Sequence, residues 1–162
     1  MTASCNYFNN CFSTECSNYQ VLNDSDRAKG FKAVSNFKCD QPFIKRWYKF
    51  EGGAGTQMPD QVVPTHHCGT HAPGWLNGSH PTVAEGAAQR KVCFHWSNNP
   101  CFWSRDIRVR NCGGFYVYEL WQTPTCHLRY CGDKDQGKDL CSPCSLVAVD
   151  RFLQHEVFWI RL

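Results

Sequence analysis

The segment His66-His67-Cys68-Gly69-Thr70-His71 places three imidazoles and a thiol within six positions. Farther along, Cys141-Ser-Pro-Cys144 has the two-residue spacing of a metal-binding pair. Such residues hold zinc when four of them close a tetrahedron. A second Cys-x-x-Cys at usable spacing is missing from the sequence, and the other cysteines read as disulfide partners. No metal and no cofactor is therefore expected. His66, His71 and His95, with Lys91, are the set from which a secreted hydrolase could assemble an acid, a base and a cation. General acid–base work needs at least two of these groups in one cleft. The sequence has no Ser-centred nucleophile elbow, and oxidation would deny most cysteines the free thiolate that a nucleophile requires. The expected set of catalytic residues is empty, and the histidine-based hydrolase is the alternative to test against the fold.

A different chemistry is written in Trp75-Leu-Asn-Gly-Ser-His-Pro81. Asn77-Gly78-Ser79 is an acceptor for N-linked glycan, and Asn-Gly is also a turn dipeptide. Asn23-Asp24-Ser25 is a second acceptor. Trp75 and Leu76 are expected to point inward as anchors, with Asn77-Gly78 turning the chain and leaving the amide exposed.

These residues sit in a chain of 162 with twelve cysteines, at 5, 11, 16, 39, 68, 93, 101, 112, 126, 131, 141 and 144. That density makes a disulfide scaffold the default, and disulfides persist in oxidising compartments. The reading is secreted or extracellular. Met1-Thr-Ala-Ser-Cys5 shows neither the basic nor the apolar region of a signal peptide, so the true start is expected to lie upstream. No apolar run reaches the length of a membrane span. The net charge of +3 is spread without a basic block, which argues against nucleic acid as a partner.

The elements that must position the acceptors read as mainly β. Trp47–Phe50, Arg90–Trp96, Asp106–Cys112, Phe115–Trp121 and His127–Tyr130 are strand candidates, with Gly113-Gly114 turning Ile107–Trp121 into a hairpin. Residues 59–81 carry four prolines and read mostly as loop. One short helix is expected around Ser25–Val34. Glu51-Gly-Gly-Ala-Gly-Thr56 lacks the Lys-Ser/Thr of a phosphate loop and reads as a turn. Residues 133–139 read as a charged linker, because the glycine and glutamate of a calcium loop are absent there. The fold class is a small disulfide-rich antiparallel β domain with long loops.

Taken in order, Trp47-Tyr-Lys-Phe-Glu-Gly-Gly53, Met58-Pro59, Cys68-Gly-Thr-x-Ala-Pro-Gly-Trp-Leu-Asn-Gly-Ser-His-Pro81, Arg90-Lys-Val-Cys-Phe-His-Trp96, Val109-Arg-Asn-Cys-Gly-Gly-Phe-Tyr-Val-Tyr118 and Cys126-His-Leu-Arg-Tyr-Cys131 resemble a family. It is the eight-cysteine extracellular domain found in uromodulin and in the pancreatic secretory granule membrane major glycoprotein. The resemblance spans 16–131. It leaves 1–15 as an N-terminal hairpin or EGF-like remnant and 132–162 as a linker, a truncated EGF-like start and an atypical tail. It implies the bridges Cys16–Cys112, Cys39–Cys126, Cys68–Cys131 and Cys93–Cys101, with Cys5–Cys11 and Cys141–Cys144 as weaker pairs. A further cysteine pair of some members falls here on Val62 and Pro100.

The resemblance also implies a non-enzymatic glycoprotein module for adhesion, matrix or filament contexts. It would stand beside neighbouring modules of a longer protein and present N-glycans to lectins, including that of bacterial fimbriae. Two acceptors of relatives are lost, at Asn18-Tyr19-Gln20 and at Glu119. A non-functional fragment of a longer glycoprotein is the remaining alternative.

Overall fold

The computed structural model describes residues 4–5 and 11–134, with side chains described from residue 13 onward. Cys141, Cys144 and the tail lie outside the described residues. A short antiparallel pair opens the chain, β1 (Ser4–Cys5) and β2 (Cys11–Phe12), with Cys5 opposite Cys11. Seven further strands form one sheet: β3 (Gln20–Leu22), β4 (Arg46–Phe50), β5 (Ala72–Asn77), β6 (Ala87–Trp96), β7 (Asn99–Asn111), β8 (Tyr116–Leu120) and β9 (Leu128–Tyr130). Their order is β3-β4-β8-β7-β6-β5-β9.

The centre of the sheet is antiparallel, as the short connections between β6 and β7 and between β7 and β8 require. The two edge pairs, β3–β4 and β5–β9, are parallel, so the sheet as a whole is mixed. Each parallel pair needs a long crossover. The segment between β3 and β4 supplies one. It holds a single 3-10 turn, Ser25–Arg27, where the sequence suggested a longer helix. Arg27 explains the difference: it is buried, and its guanidinium is committed to distant partners.

Period-two alternation sorts the sheet into two faces. Tyr48, Phe50, Leu76, Val92, Phe94, Ile107, Val109, Tyr118 and Leu120 form the main core with Met58 and Ala54 from the loops. On the other face a smaller cluster joins Val63, Cys68, Trp75, Cys93 and Cys131. β5 is buried on both faces, from Ala72 to Leu76. That double burial gives it no polar alternation, which hid it inside a proline-rich stretch. Pro73 is tolerated because β5–β6 pairing starts only at Gly74. Gly74 itself has no room for a side chain, since a Cβ there would stand 2.7 Å from the Phe94 ring.

Four disulfides close the described fold: Cys16–Cys112, Cys39–Cys126, Cys68–Cys131 and Cys93–Cys101. They are the same four pairs that the resemblance implies. Three of them span 96, 87 and 63 residues. In the chain-entropy view, loops of that length stabilise by about 4 kcal/mol each. The fourth ties β6 to β7 beside the Ser97-Asn98 turn that joins them, eight residues apart in sequence.

The glycine-rich stretch after β4 has an anion to hold. Gly52–Ala54 make a 3-10 turn and Gly55 adopts φ 105°. The backbone N–H groups of Thr56 and Gln57 donate to one carboxylate oxygen of Asp133, at 2.8 and 3.3 Å. Gly132 donates from its N–H to the Arg27 carbonyl and accepts from Lys29 N. Residues 132–134, assigned by composition to a linker, are thus docked on the domain.

Two arginines and an aspartate are buried where the crossover meets β9. Asp40 accepts from Arg27 Nη1 and Nη2 at 2.5 and 2.9 Å and from Tyr130 N at 2.8 Å. Arg129 donates to Asp26, Asp24 and the Cys68 carbonyl at 2.9, 3.2 and 3.1 Å. Asp40→Ala leaves two buried guanidinium groups without their inner carboxylate. It is expected to cost about 3–5 kcal/mol, read as a lower denaturant midpoint at pH 7 with all disulfides intact. A midpoint within experimental error of the parent would show that Asp40 carries no such load.

Candidate glycan-bearing site

Asn77 is the last residue of β5, opposite Lys91 of β6, and it is exposed. The two residues before it fix its position. Leu76 is fully buried in the main core, and its N–H donates to Pro59 O at 2.8 Å. Trp75 is 8% exposed on the opposite face, and its Nε1 donates to Pro100 O at 2.8 Å. Asn77 shares that face with Trp75, two residues away, and its Nδ2 lies 3.5 Å from Cys93 Sγ. Both indole and leucine point inward. The strand persists through Asn77, so the turn starts one residue later than the Asn-Gly dipeptide suggested. Gly78 takes φ 129° with nothing within 4 Å of where a Cβ would be. Asn77, Gly78 and Ser79 are all exposed.

The chain after the acceptor is pinned. Arg90 Nε donates to Ser79 O, and Arg90 Nη2 donates to Glu85, both at 2.8 Å. The Thr82 N–H, then Arg90, then the Thr82 hydroxyl hold the Glu85 carboxyl down at about 2. On the inner side, Tyr118 Oη accepts from Met58 N at 2.9 Å and lies 2.8 Å from His80 Nε2. The hydroxyl has one proton to give and a further lone pair to accept with, so the direction of its bond to Nε2 follows the His80 tautomer. Burial pulls the His80 pKa below its ordinary value, against the opposing pull of Asp60 and Asp133. The acceptor loop is therefore held on both flanks.

Asn23 is also exposed, but it precedes the Ser25–Arg27 turn beside the buried ion cluster. The lost acceptor at Glu119 holds a salt bridge instead. Arg108 donates to both Glu119 oxygens at 2.8 and 2.7 Å, lies over the Trp47 ring, and holds the carboxyl below its usual range.

The histidines divide. His66 and His71 come together, and His127 joins them; His71 and His127 have Nδ1 atoms 3.1 Å apart. Phe37 packs against His71 with ring centroids 3.7 Å apart and the planes tilted by 34°. Burial, then His127 and His66, lower the His71 pKa. His95 lies elsewhere, bonded through Nδ1 to Val63 O at 2.8 Å, and Lys91 pairs with Asp106 at 2.8 Å. His67 Nδ1 bonds Lys29 O, and Cys68 is spent in a disulfide, so the cluster at 66–71 does not assemble as a zinc site. Sequence reasoning missed His127. Its one signal was its place in Cys126-His-Leu-Arg-Tyr-Cys131, because 56 residues separate it from His71.

These features define a small, disulfide-closed, mainly β module with an exposed Asn-Gly-Ser sequence on a pinned strand end. The chain belongs to the uromodulin-like eight-cysteine domain family, whose profile matches residues 48–132. It is 44% identical over 133 residues to the pancreatic secretory granule membrane major glycoprotein of Canis lupus familiaris, covering 79% of this chain and 26% of that protein. It is 41% identical over 132 residues to uromodulin of Rattus norvegicus, covering 81% of this chain and 20% of that one. The chain thus spans about a quarter or less of the length of these relatives. Among the described residues no helix is long and apolar enough to cross a membrane.

The His80–Tyr118 bond gives a pH test. A histidine whose folded pKa is lowered contributes stability that is present above its unfolded value near 6.5 and is lost as pH falls through the folded value. The stability difference between the parent and His80→Gln should therefore shrink from pH 7.5 to pH 5. Denaturation midpoints of both proteins across that range check it; a difference that grows on acidification contradicts the neutral assignment.

Proposed function

We propose that this chain is a non-enzymatic extracellular glycoprotein module that presents an N-glycan at Asn77 to lectins, including those of bacterial fimbriae. It would serve adhesion, matrix or filament contexts beside neighbouring modules of a longer protein. The observation that carries the reading is the placement of Asn77. Its strand is anchored by Trp75 on one face and Leu76 on the other, while the acceptor and the two residues after it face solvent. A glycan there extends from a fixed base and adds a polar cover beside aromatic surface. The relatives support the reading, since one is a glycoprotein by name.

The convergence of His66, His71 and His127 meets the geometric requirement of the hydrolase alternative. Its chemistry is still incomplete. The cleft is lined by His71, Ala72, Trp96, Trp103, Cys126, His127 and Leu128, with no lysine or arginine among them. Charge developing in a transition state needs an oriented donor or cation, and Lys91 is engaged with Asp106 on the β6–β7 hairpin.

Expression in a secretory host, with Asn77→Gln and Asn23→Gln for comparison, tests the proposal. Loss of one glycan mass in Asn77→Gln is expected, with at least a tenfold fall in mannose-competed binding to a fimbrial lectin. An unchanged mass would leave Asn77 as a strand-end residue. A changed mass with unchanged lectin binding would keep the glycan and remove its presenting role.

A further inference from the structure

His71 stands just before β5, and His127 just before β9. These strands run parallel with Ala72 opposite Leu128, so the two residues that precede them fall side by side. Their Nδ1 atoms are 3.1 Å apart. In the absence of an ion that spacing is one N–H···N hydrogen bond. It is also the spacing of two adjacent ligands on one metal. Imidazole nitrogens at about 2.0–2.1 Å from an ion, at angles between square and tetrahedral, stand roughly 2.8–3.4 Å apart. Phe37 packs against both rings, with its centroid 3.7 Å from that of His71 and 6.4 Å from that of His127, and Trp96 lies 5.8 Å from His71. Both imidazoles line a solvent-open cavity of about 190 Å³. His67, His80 and His95 have ring nitrogens committed to Lys29 O, Tyr118 Oη and Val63 O.

We propose that His71 and His127 form a two-histidine site for a divalent transition ion, Cu²⁺ or Zn²⁺. Imidazole suits both ions, and copper should bind more tightly. Among the described residues no set of three or more His, Cys, Asp or Glu side chains is arranged to hold a metal. Water therefore completes the shell, and the ion is exchangeable instead of structural. The fold needs no metal to bring the two ligands together, because the β5–β9 pairing and the adjacent Cys39–Cys126 bridge already do so.

The test uses the full disulfide-bonded chain at pH 7.4 in a non-coordinating buffer. Calorimetric titration with CuCl₂ and with ZnCl₂ should show one site that prefers copper. His71→Ala and His127→Ala should each weaken it at least tenfold, and His95→Ala should leave it unchanged. Because an alanine at either position could loosen the edge, the parent protein supplies a second readout. Substoichiometric Cu²⁺ should broaden the His71 and His127 imidazole resonances first, and its electron paramagnetic resonance spectrum should show two nitrogen ligands. Affinity unchanged in both variants, or broadening centred on other residues, would overturn the proposal. So would the absence of binding at millimolar ion.

Discussion

Asp40 sits between two arginines in a place water does not reach. Three donors converge on its carboxylate: two from the Arg27 fork and one from the Tyr130 backbone. Arg27 also donates to Tyr130 O at 2.9 Å, so the Arg27–Asp40 pair grips both backbone polar atoms of one residue on the edge strand. Arg129 pays for its burial with Asp26, Asp24 and the Cys68 carbonyl. Its own desolvation and the Arg27 charge oppose its ionised form, and Asp40 and Asp26 oppose that pull. Replacing such a cluster by apolar residues is often neutral or stabilising, whereas breaking it is costly. Its value here is positional: the fork, the carboxylate and the strand fit in one register.

That register explains the sheet's unusual edges. β9 joins β5 in parallel through three pairs only, which is too little ladder to hold an edge strand alone. The ion cluster fixes β9 from the side, and the Cys68–Cys131 bridge fixes its end. The crossover is tied in turn by Ala33 N to His66 O, Lys38 N to Gly69 O and Cys68 N to Phe31 O. Disulfides and buried ions divide the labour. The bridges limit the unfolded chain, while the ions decide how the long crossover packs. The β9 edge ends up covered, because Asp40 N donates to Leu128 O and the Asp40 carboxylate accepts from Tyr130 N, which denies a foreign strand a template there.

Much of the central sheet was legible because it obeys simple alternation. Ile107 and Val109 face the core while Arg108 and Arg110 do not, and Gly113-Gly114 turns the chain into β8. The inward placement of Trp75 and Leu76 was legible for a different reason: both side chains are large and apolar, and burial on either face of the strand takes them out of water. The edges were not legible. β5 is buried on both faces and so lacks alternation, and its proline pointed to loop. Arg27, Asp40 and Arg129 look like ordinary solvated charges, since their partners lie 13 to about 100 residues away. Nothing local marks a buried ion cluster. The meeting of His71 and His127 was hidden likewise, because it depends on which strand β9 chooses.

β5 connects the two sites. Asn77 ends it, and His71 precedes its start, so the acceptor and the histidine pair stand at opposite ends of one strand. Six residues of extended chain separate them by about 20 Å. Between them the strand is buried on both faces and paired on both sides, to β6 and to β9. A segment held so fully transmits little bending. A glycan at Asn77 would then project from one rim of the sheet without covering the cavity at the other. Occupancy of one end should not alter the other, because each is fixed by its own partners: Trp75, Leu76 and Arg90 at the acceptor end, Phe37 and the Cys39–Cys126 bridge at the histidine end.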